Sequence, residues 1–158
     1  MSVMQPEIIE FPPQRLVGIS LNMSLMQNQT PALWQGFMPI YRGLHLNTLR
    51  YSLQVYPPAY FEAFNPQTPF TKWALCEWPN DADLPPNWEA FDFKGGLYAV
   101  FKHRGTGMEI FEQIYSEWLP SSGYQLSDLP HFEVFDANYV WGQAGAEEQI
   151  AIPIRMPE

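Results

Sequence analysis

Two short apolar stretches decide the fold, LVGISL at residues 16–21 and LYAVF at residues 97–101. The second is entered through Gly95-Gly96, and both have the length and the β-branched or aromatic content that is typical of strands. Each stretch is followed, after a polar interval, by a segment with the apolar periodicity of a helix. The same order of elements is therefore predicted twice along the chain.

The first helix is predicted over residues 31–45. Thr30 is the expected N-cap, and Pro31 occupies the first helical position, where a missing N–H does no harm. Four large side chains then recur at the i, i+3, i+4, i+7 spacing of a buried stripe: Trp34, Phe37, Met38 and Tyr41. This stripe is expected in the core.

The second helix is predicted over residues 107–119. Thr106 stands three residues before Glu109, as in a capping box, and Pro120 is expected to end the helix. One face is apolar and is again expected in the core: Ile110, Phe111, Ile114, Tyr115 and Trp118.

Two further strands are predicted after each helix, because similar segments recur there. Residues 53–60 align with residues 132–139 at a constant offset, and residues 73–76 align with residues 150–153. The repeat unit is therefore β-α-β-β.

The prediction is a single α+β domain over residues 1–158. Its two repeats span about residues 7–79 and 88–156, and the Pro-rich, acidic stretch 79–87 connects them. Two such units form one antiparallel sheet with both helices on one face. Functional residues are then expected on the other face and in a ligand cleft between the repeats.

The charge is uneven and acidic. The chain has 158 residues with 8 Lys+Arg against 17 Asp+Glu, a formal net charge of −9. Residues 1–79 are balanced, so residues 80–158 carry the whole excess. No basic run is present, which argues against direct nucleic-acid binding. The acidic half is either a solvated face or a field that attracts cations.

The setting is expected to be cytoplasmic. The single cysteine, Cys76, cannot form an intrachain disulfide, and nothing near the N-terminus resembles a signal peptide. Residues 16–41 carry no charge, but polar residues interrupt them, so neither a membrane span nor a membrane partner is expected.

Four motifs in the second half resemble a known family. They are GGLYAVFKHRG at 95–105, WLPSSGY at 118–124, PHFEVF at 130–135 and EQIAIPI at 148–154. Together they resemble the GyrI-like small-molecule-binding domains. These include the effector-binding domains of AraC-type and multidrug-responsive regulators and the integron-associated effector-binding proteins.

The resemblance implies an aromatic pocket between the repeats, in which a glutamate faces a lipophilic, cationic ligand. Glu133 matches the position of that glutamate. The other side chains expected to bind the ligand are Tyr51, Leu53, Tyr56, Trp73, Tyr98 and Phe135. From the residues alone, Glu133 could equally be the solvent-facing member of an alternating strand.

The resemblance also implies a stand-alone binding protein, because no helix-turn-helix segment accompanies the domain in this sequence. Its partner would be a small molecule, and any protein partner stays open. No cofactor is expected. A metal is not expected either, since His45, His103 and His131 lack the spacing of metal ligands.

Two alternatives remain. Cys76 lies in an apolar run and no hydrolase or kinase motif is present, yet some GyrI-like proteins are hydrolases that open reactive cyclopropane rings. Glu133 would then be the general base. The other alternative is a protein-interaction module of gyrase-inhibitor type, whose acidic half docks a basic enzyme.

Overall fold

The computed structural model describes residues 5–79, 83–104, 109–136, 139 and 147–157, and it is of the α+β class. One large antiparallel sheet has helices packed against it. The strands are β1 (Glu7–Phe11), β2 (Gln14–Met23), β3 (Arg50–Val55), β4 (Phe70–Glu77), β5 (Glu89–Phe93), β6 (Gly96–Arg104), β7 (Gln125–Leu126), β8 (His131–Phe135) and β9 (Glu147–Arg155).

The strands follow the order β1-β6-β9-β8-β3-β4-β2-β5, and β7 pairs with β9. The central strands β3 and β8 pair in antiparallel orientation, with Leu53 opposite Phe132. On one side of that pair Ser52 faces Glu133, and on the other Gln54 faces His131. This order is the one that two β-α-β-β repeats would produce, and the duplication itself stays a prediction.

Neither edge strand was predicted, and nor was the short β7. β1 lies at one edge of the sheet beside β6, and β5 lies at the other edge beside β2. The central strands are shorter than predicted: β3 ends at Val55 and β8 ends at Phe135. Pro57 and Pro58 stop the first, since proline cannot donate to a strand ladder. Residues 137 and 138 lie outside the described residues.

The predicted alignment of residues 73–76 with 150–153 is out by one residue. Trp73 pairs with Leu53, whereas Phe132 on β8 pairs with Ala151. Leu53 and Phe132 are aligned positions of the two predicted repeats, so their pairing partners Trp73 and Ala151 are aligned as well. Ile150, the neighbour of Ala151, points to the opposite face.

The first helix, α1 (Thr30–Gly43), lies close to its predicted span. Thr30 is its first residue and not its N-cap, which is Gln29 without a side-chain cap bond. Instead, the Thr30 N–H donates to Asn28 Oδ1 over 2.9 Å. The Thr30 hydroxyl is thereby left for other contacts, which matter below.

The second helix runs without a break through α2 (Glu109–Gln113), a π-helical turn (Ile114–Trp118) and α3 (Leu119–Ser122). The capping box proposed at Thr106 lies outside the described residues. Pro120 does not end the helix, because it lies in the first turn of α3, where its missing N–H is tolerated. Gly123, with φ of 84°, ends it. Neither helix is long and apolar enough to cross a membrane.

Both helices lie on one side of the sheet, which we call the helix face. Ala74 packs with α1, and Ile150 packs with the π-helical turn. These two residues belong to one cross-strand row, Ala74-Ser52-Glu133-Ile150, so they share a face. The helices cover the outer strands of this face, and the central strands run between them.

The opposite side, which we call the far face, is closed by aromatic rings. The Phe132 ring lies 4.9 Å from that of Tyr98 and 5.4 Å from those of Phe11 and Phe93. Tyr98 and Leu53 are completely buried in this cluster. Since Phe11 and Phe93 come from the two unpredicted edge strands, β1 and β5 supply the cover that the helices give to the other face.

Candidate functional site

A cavity of about 330 Å³ opens on the helix face between the two helices. Its floor is formed by β3, β4, β8 and β9, and its walls by the start of α1, the segment after β3 and the second helix. Its lining residues are Leu25, Asn28, Thr30, Gln54, Tyr56, Tyr60, Phe61, Phe64, Phe70, Lys72, Phe111, Tyr115, His131, Phe132, Glu133, Ile150, Ala151 and Ile152.

Aromatic rings form most of the wall. Phe61 stacks on Tyr115 with 5.4 Å between ring centroids, and on His131 with 5.0 Å. Tyr56 lies 4.5 Å from Tyr60 and 5.1 Å from Phe70. These rings come from four separate segments, so the wall exists only in the folded chain.

The mouth of the cavity is apolar and open to solvent. Phe64 is 55% exposed and Leu25 is 50% exposed, although both line the cavity. Large apolar side chains that remain this exposed beside a cavity are typical of a binding surface.

Glu133 is the acidic group of the cavity. It lies on β8 and points to the helix face. Burial raises its pKa well above the ordinary value, and a hydrogen bond with Glu148 and the charge of that neighbour raise it further. Glu148 in turn lies 3.1 Å from Nδ1 of His103. The Glu133 carboxyl therefore keeps its proton to an unusually high pH.

Lys72 is the basic group of the cavity. Its ammonium group donates a hydrogen bond to the Thr30 hydroxyl over 3.1 Å. Burial lowers its pKa, and the charges of Glu133 and Glu148 oppose that change. Within the described part of the chain, Lys72 and Glu133 do not approach to ion-pair distance.

His131 is a neutral ring in this setting. Its Nδ1 shares a hydrogen bond of 2.8 Å with the Tyr115 hydroxyl. Burial lowers the pKa of His131 to about 3, so the ring carries no charge at neutral pH. It therefore acts as part of the aromatic wall.

The structure brings together only some of the residues expected from sequence. Glu133 and Tyr56 both line the cavity. Phe135 lies on the same face but packs beside it, 6.1 Å from the ring of Trp34 and 4.7 Å from that of Tyr139.

The other four expected residues lie on the far face. Tyr51, Leu53, Trp73 and Tyr98 belong to the cluster around Phe132. Tyr51 and Leu53 alternate along β3 with Ser52 and Gln54, so they point away from the cavity. The expectation that these four line a cleft with Glu133 is wrong, and so is the expectation that the helix-free face stays open.

Several cavity residues were missed. Phe61 and Phe64 lie just after the segment 53–60 that is predicted as a strand, and the sequence pattern assigned them no role. Phe111 and Tyr115 were assigned wholly to the core. Lys72 had a usable signal, since it is a lone charge within the apolar run of β4.

A wider groove of about 1050 Å³ adjoins the cavity. It shares with it Tyr56, Tyr60, Phe61 and His131, and it extends between the segment after β3 and residues 119–129. Its outer part is lined by polar groups such as Arg155 and Asp128.

The site combines apolar rings with ionisable groups. It offers aromatic surface, one acid and one base, and the described residues contain no cluster of His, Cys, Asp or Glu suited to a metal ion. A concave apolar site with a few convergent polar groups is the usual form of a small-molecule pocket.

The solved structures with a similar fold include the following three. The structure of SAV2435 bound to tetraphenylphosphonium shares 15% identity, with a TM-score of 0.67 and coverage of 96% of this chain and 94% of that one. The EcmrR C-terminal domain shares 13%, with a TM-score of 0.66 and coverage of 99% and 100%. A hydrolase from Listeria innocua shares 10%, with a TM-score of 0.61 and coverage of 96% and 92%.

Sequence comparison gives the family directly. A search of curated proteins finds no match. The model of the GyrI-like small molecule binding domain matches residues 4–155, which is nearly the whole chain and includes every element that forms the cavity. This protein therefore belongs to the GyrI-like small-molecule-binding family.

Proposed function

We propose that this protein is an effector-binding protein whose ligand is lipophilic and cationic. The observation that carries the proposal is that Glu133, a carboxyl group whose pKa is raised, lies in a cavity walled by aromatic rings. We assign the ligand contacts to Glu133 and Tyr56, and we add Phe61 and Tyr115 to the residues expected from sequence.

The first support for a cationic ligand is electrostatic. An ionised carboxylate in an apolar site loses hydration, and it is stable there only with a cation or with hydrogen-bond donors. Aromatic rings also attract a cation, because their faces carry negative electrostatic potential. A cation with apolar substituents pairs with the carboxylate and packs against the rings at the same time. Burial of its apolar substituents away from water is also favourable.

Size and a relative support the same ligand class. The cavity volume of about 330 Å³ lies near the lower end of the range for small-molecule pockets, about 300–1,000 Å³. SAV2435, which has the same fold, is seen bound to tetraphenylphosphonium, a cation with four rings. We infer that the present cavity takes a ligand of that chemistry, and that the ligand acts as a signal in the cytoplasm.

The test is calorimetric titration of wild type and Glu133→Gln. The probes are tetraphenylphosphonium and the neutral, ring-bearing triphenylphosphine oxide. We expect the variant to weaken binding of the cation by about 1–3 kcal/mol, the size of a charge-assisted contact, and to leave the neutral probe nearly unchanged.

The matched control is Glu89→Gln, which makes the same substitution at an exposed position of β5. Equal losses for both probes would reduce Glu133 to a shape-forming residue. Absence of binding by the wild-type protein would refute the proposal.

A second candidate function is hydrolysis. It is favoured by the contact of Glu133 with Glu148, which itself lies beside His103, since a carboxyl with a raised pKa can exchange protons with water and substrate. A structural neighbour is also a hydrolase. Turnover of a reactive cyclopropane compound, abolished in Glu133→Gln while binding of the intact compound persists, would favour this function over the first.

A further inference from the structure

Lys72 distinguishes this cavity from a simple cation pocket. It lies on β4 and alternates with Phe70 and Ala74, both of which belong to the core cluster of the helix face. Its side chain therefore enters the cavity from the α1 end. A basic group inside a site for cations opposes cation binding, so its presence calls for a role of its own.

The Lys72 ammonium is only partly used by the protein. The Thr30 hydroxyl accepts one hydrogen bond from Lys72 and lies 3.6 Å from the sulfur of Met23. An ammonium group has three N–H donors, and no further hydrogen bond of Lys72 is formed by the described residues. Two donors thus remain for a ligand.

A second unused polar group lies at the same end. The Tyr60 side chain is 5% exposed, and its buried hydroxyl has no hydrogen-bond partner among the residues that the structure describes. Its ring is 6.1 Å from that of Phe70, two residues before Lys72. A buried hydroxyl without a hydrogen-bond partner destabilises the folded protein, and a ligand atom that bonds to it removes that cost.

The acid and the base stand at opposite ends of the cavity floor. Lys72 on β4 pairs with Gln54, and Glu133 on β8 pairs with Ser52, so their backbones are two strand spacings and two residues apart, roughly 12 Å. The Lys72 ammonium donates to the Thr30 hydroxyl, whereas the acidic neighbour that acts on Glu133 is Glu148. They therefore form two separate poles and do not neutralise each other as an ion pair.

We propose that Lys72 determines specificity, because it anchors an anionic oxygen of a ligand whose cationic group lies at Glu133. The ligand would then be an aromatic molecule with both kinds of group, such as a zwitterion. The inference rests on the proposed function, whose site and cation preference it extends.

The test uses a pair of probes that differ in one charge. (3-Carboxypropyl)triphenylphosphonium and its methyl ester share the cationic, ring-bearing part, and only the acid adds a carboxylate. The 5-carboxypentyl homologue and its ester repeat the comparison with a longer reach. Each affinity is measured by calorimetry for wild type, Lys72→Met and the control Lys102→Met, which removes an exposed lysine of β6.

We expect wild type to prefer the acid over its ester by about tenfold for at least one chain length. The preference should vanish in Lys72→Met and persist in Lys102→Met. Lys72→Arg, which keeps the charge, should retain part of it and shows that the site still folds.

The possible failures are distinguishable. If the ester binds wild type and the acid has no advantage at either length, or if the advantage survives in Lys72→Met, this inference is overturned while the proposed function stands. If neither probe binds wild type, both are overturned.

Discussion

The two faces of the sheet are both rich in aromatic rings, but the rings do different things. On the far face they fill the space: Phe132 is enclosed by Phe11, Phe93 and Tyr98, and Tyr98 is completely buried. On the helix face the rings surround a cavity that also contains Glu133 and Lys72.

This difference shows that aromatic content does not mark a binding site. Rings from two edge strands close the far face, whereas two helices placed over the outer strands leave the centre of the helix face open. An acid and a base that lie together in the gap, Glu133 and Lys72, both with pKa values shifted by burial, are the better marker.

The largest expected effect separates packing from binding. Leu53→Ala on the far face should lower the free energy of unfolding by about 2–5 kcal/mol, because Leu53 is completely buried and the change leaves a void. Phe64→Ala at the cavity mouth should lower it by less than about 1 kcal/mol, since that side chain is 55% exposed.

Urea denaturation and tetraphenylphosphonium titration measure both effects. Folded Leu53→Ala should bind the cation like wild type, and Phe64→Ala should bind it more weakly. Loss of cation binding in Leu53→Ala but not in Phe64→Ala would contradict the assignment of packing to the far face and binding to the helix face.

The next effect is the acid sensitivity that His131 gives to the helix face. Its pKa is lowered from 6.5 to about 3 in the folded protein, so the unfolded chain binds the proton more readily between those values. Stability should therefore be present above pH 6.5 and fall with decreasing pH, by up to about 1.4 kcal/mol per pH unit.

Denaturation of wild type and His131→Phe across this range tests the assignment. The variant should have a flatter acid profile, and His45→Gln, which changes an exposed histidine, should match wild type. Identical slopes for wild type and His131→Phe would assign the acid sensitivity to other groups.

Much of the fold follows from local sequence. The apolar stretches at 16–21 and 97–101 and the two helices are found where the patterns place them. β1 and β5 were missed because Glu7–Phe11 and Glu89–Phe93 are short edge strands, which pairing with distant strands stabilises more than their own composition does.

The site was less predictable for a geometric reason. Alternation shows which residues of a strand share a face, but not which face a helix covers. In β3 the pattern gives no help, because Arg50 to Gln54 are all buried and both faces are covered. Glu133 was found through the family resemblance, and the opposite placement of Tyr51 and Leu53 required the sheet order.

The smallest effect compares two buried tyrosine hydroxyls. Tyr115 shares a 2.8 Å hydrogen bond with His131 beside the cavity, and Tyr98 donates one of 2.7 Å to the Pro130 carbonyl under the far face. Replacing either by Phe should lower the free energy of unfolding by about 1 kcal/mol.

Only Tyr115→Phe should also change ligand affinity, because Tyr115 lines the cavity and Tyr98 does not. Calorimetry measures the ligand affinity of both variants. Equal affinities would mean that the Tyr115 hydroxyl contributes to stability and not to binding.

The most direct test of the central claim is the number of protons released when a permanent cation binds. Burial raises the pKa of Glu133 in the empty cavity, and a bound cation favours the carboxylate and lowers that pKa, so binding should release protons. Titration of tetraphenylphosphonium at neutral pH, in two buffers of different ionisation enthalpy, measures it. The account predicts release of up to about one proton per cation in wild type and in Glu89→Gln, and none in Glu133→Gln. Binding with heats independent of buffer in all three proteins would contradict the role of Glu133 as the counter-charge.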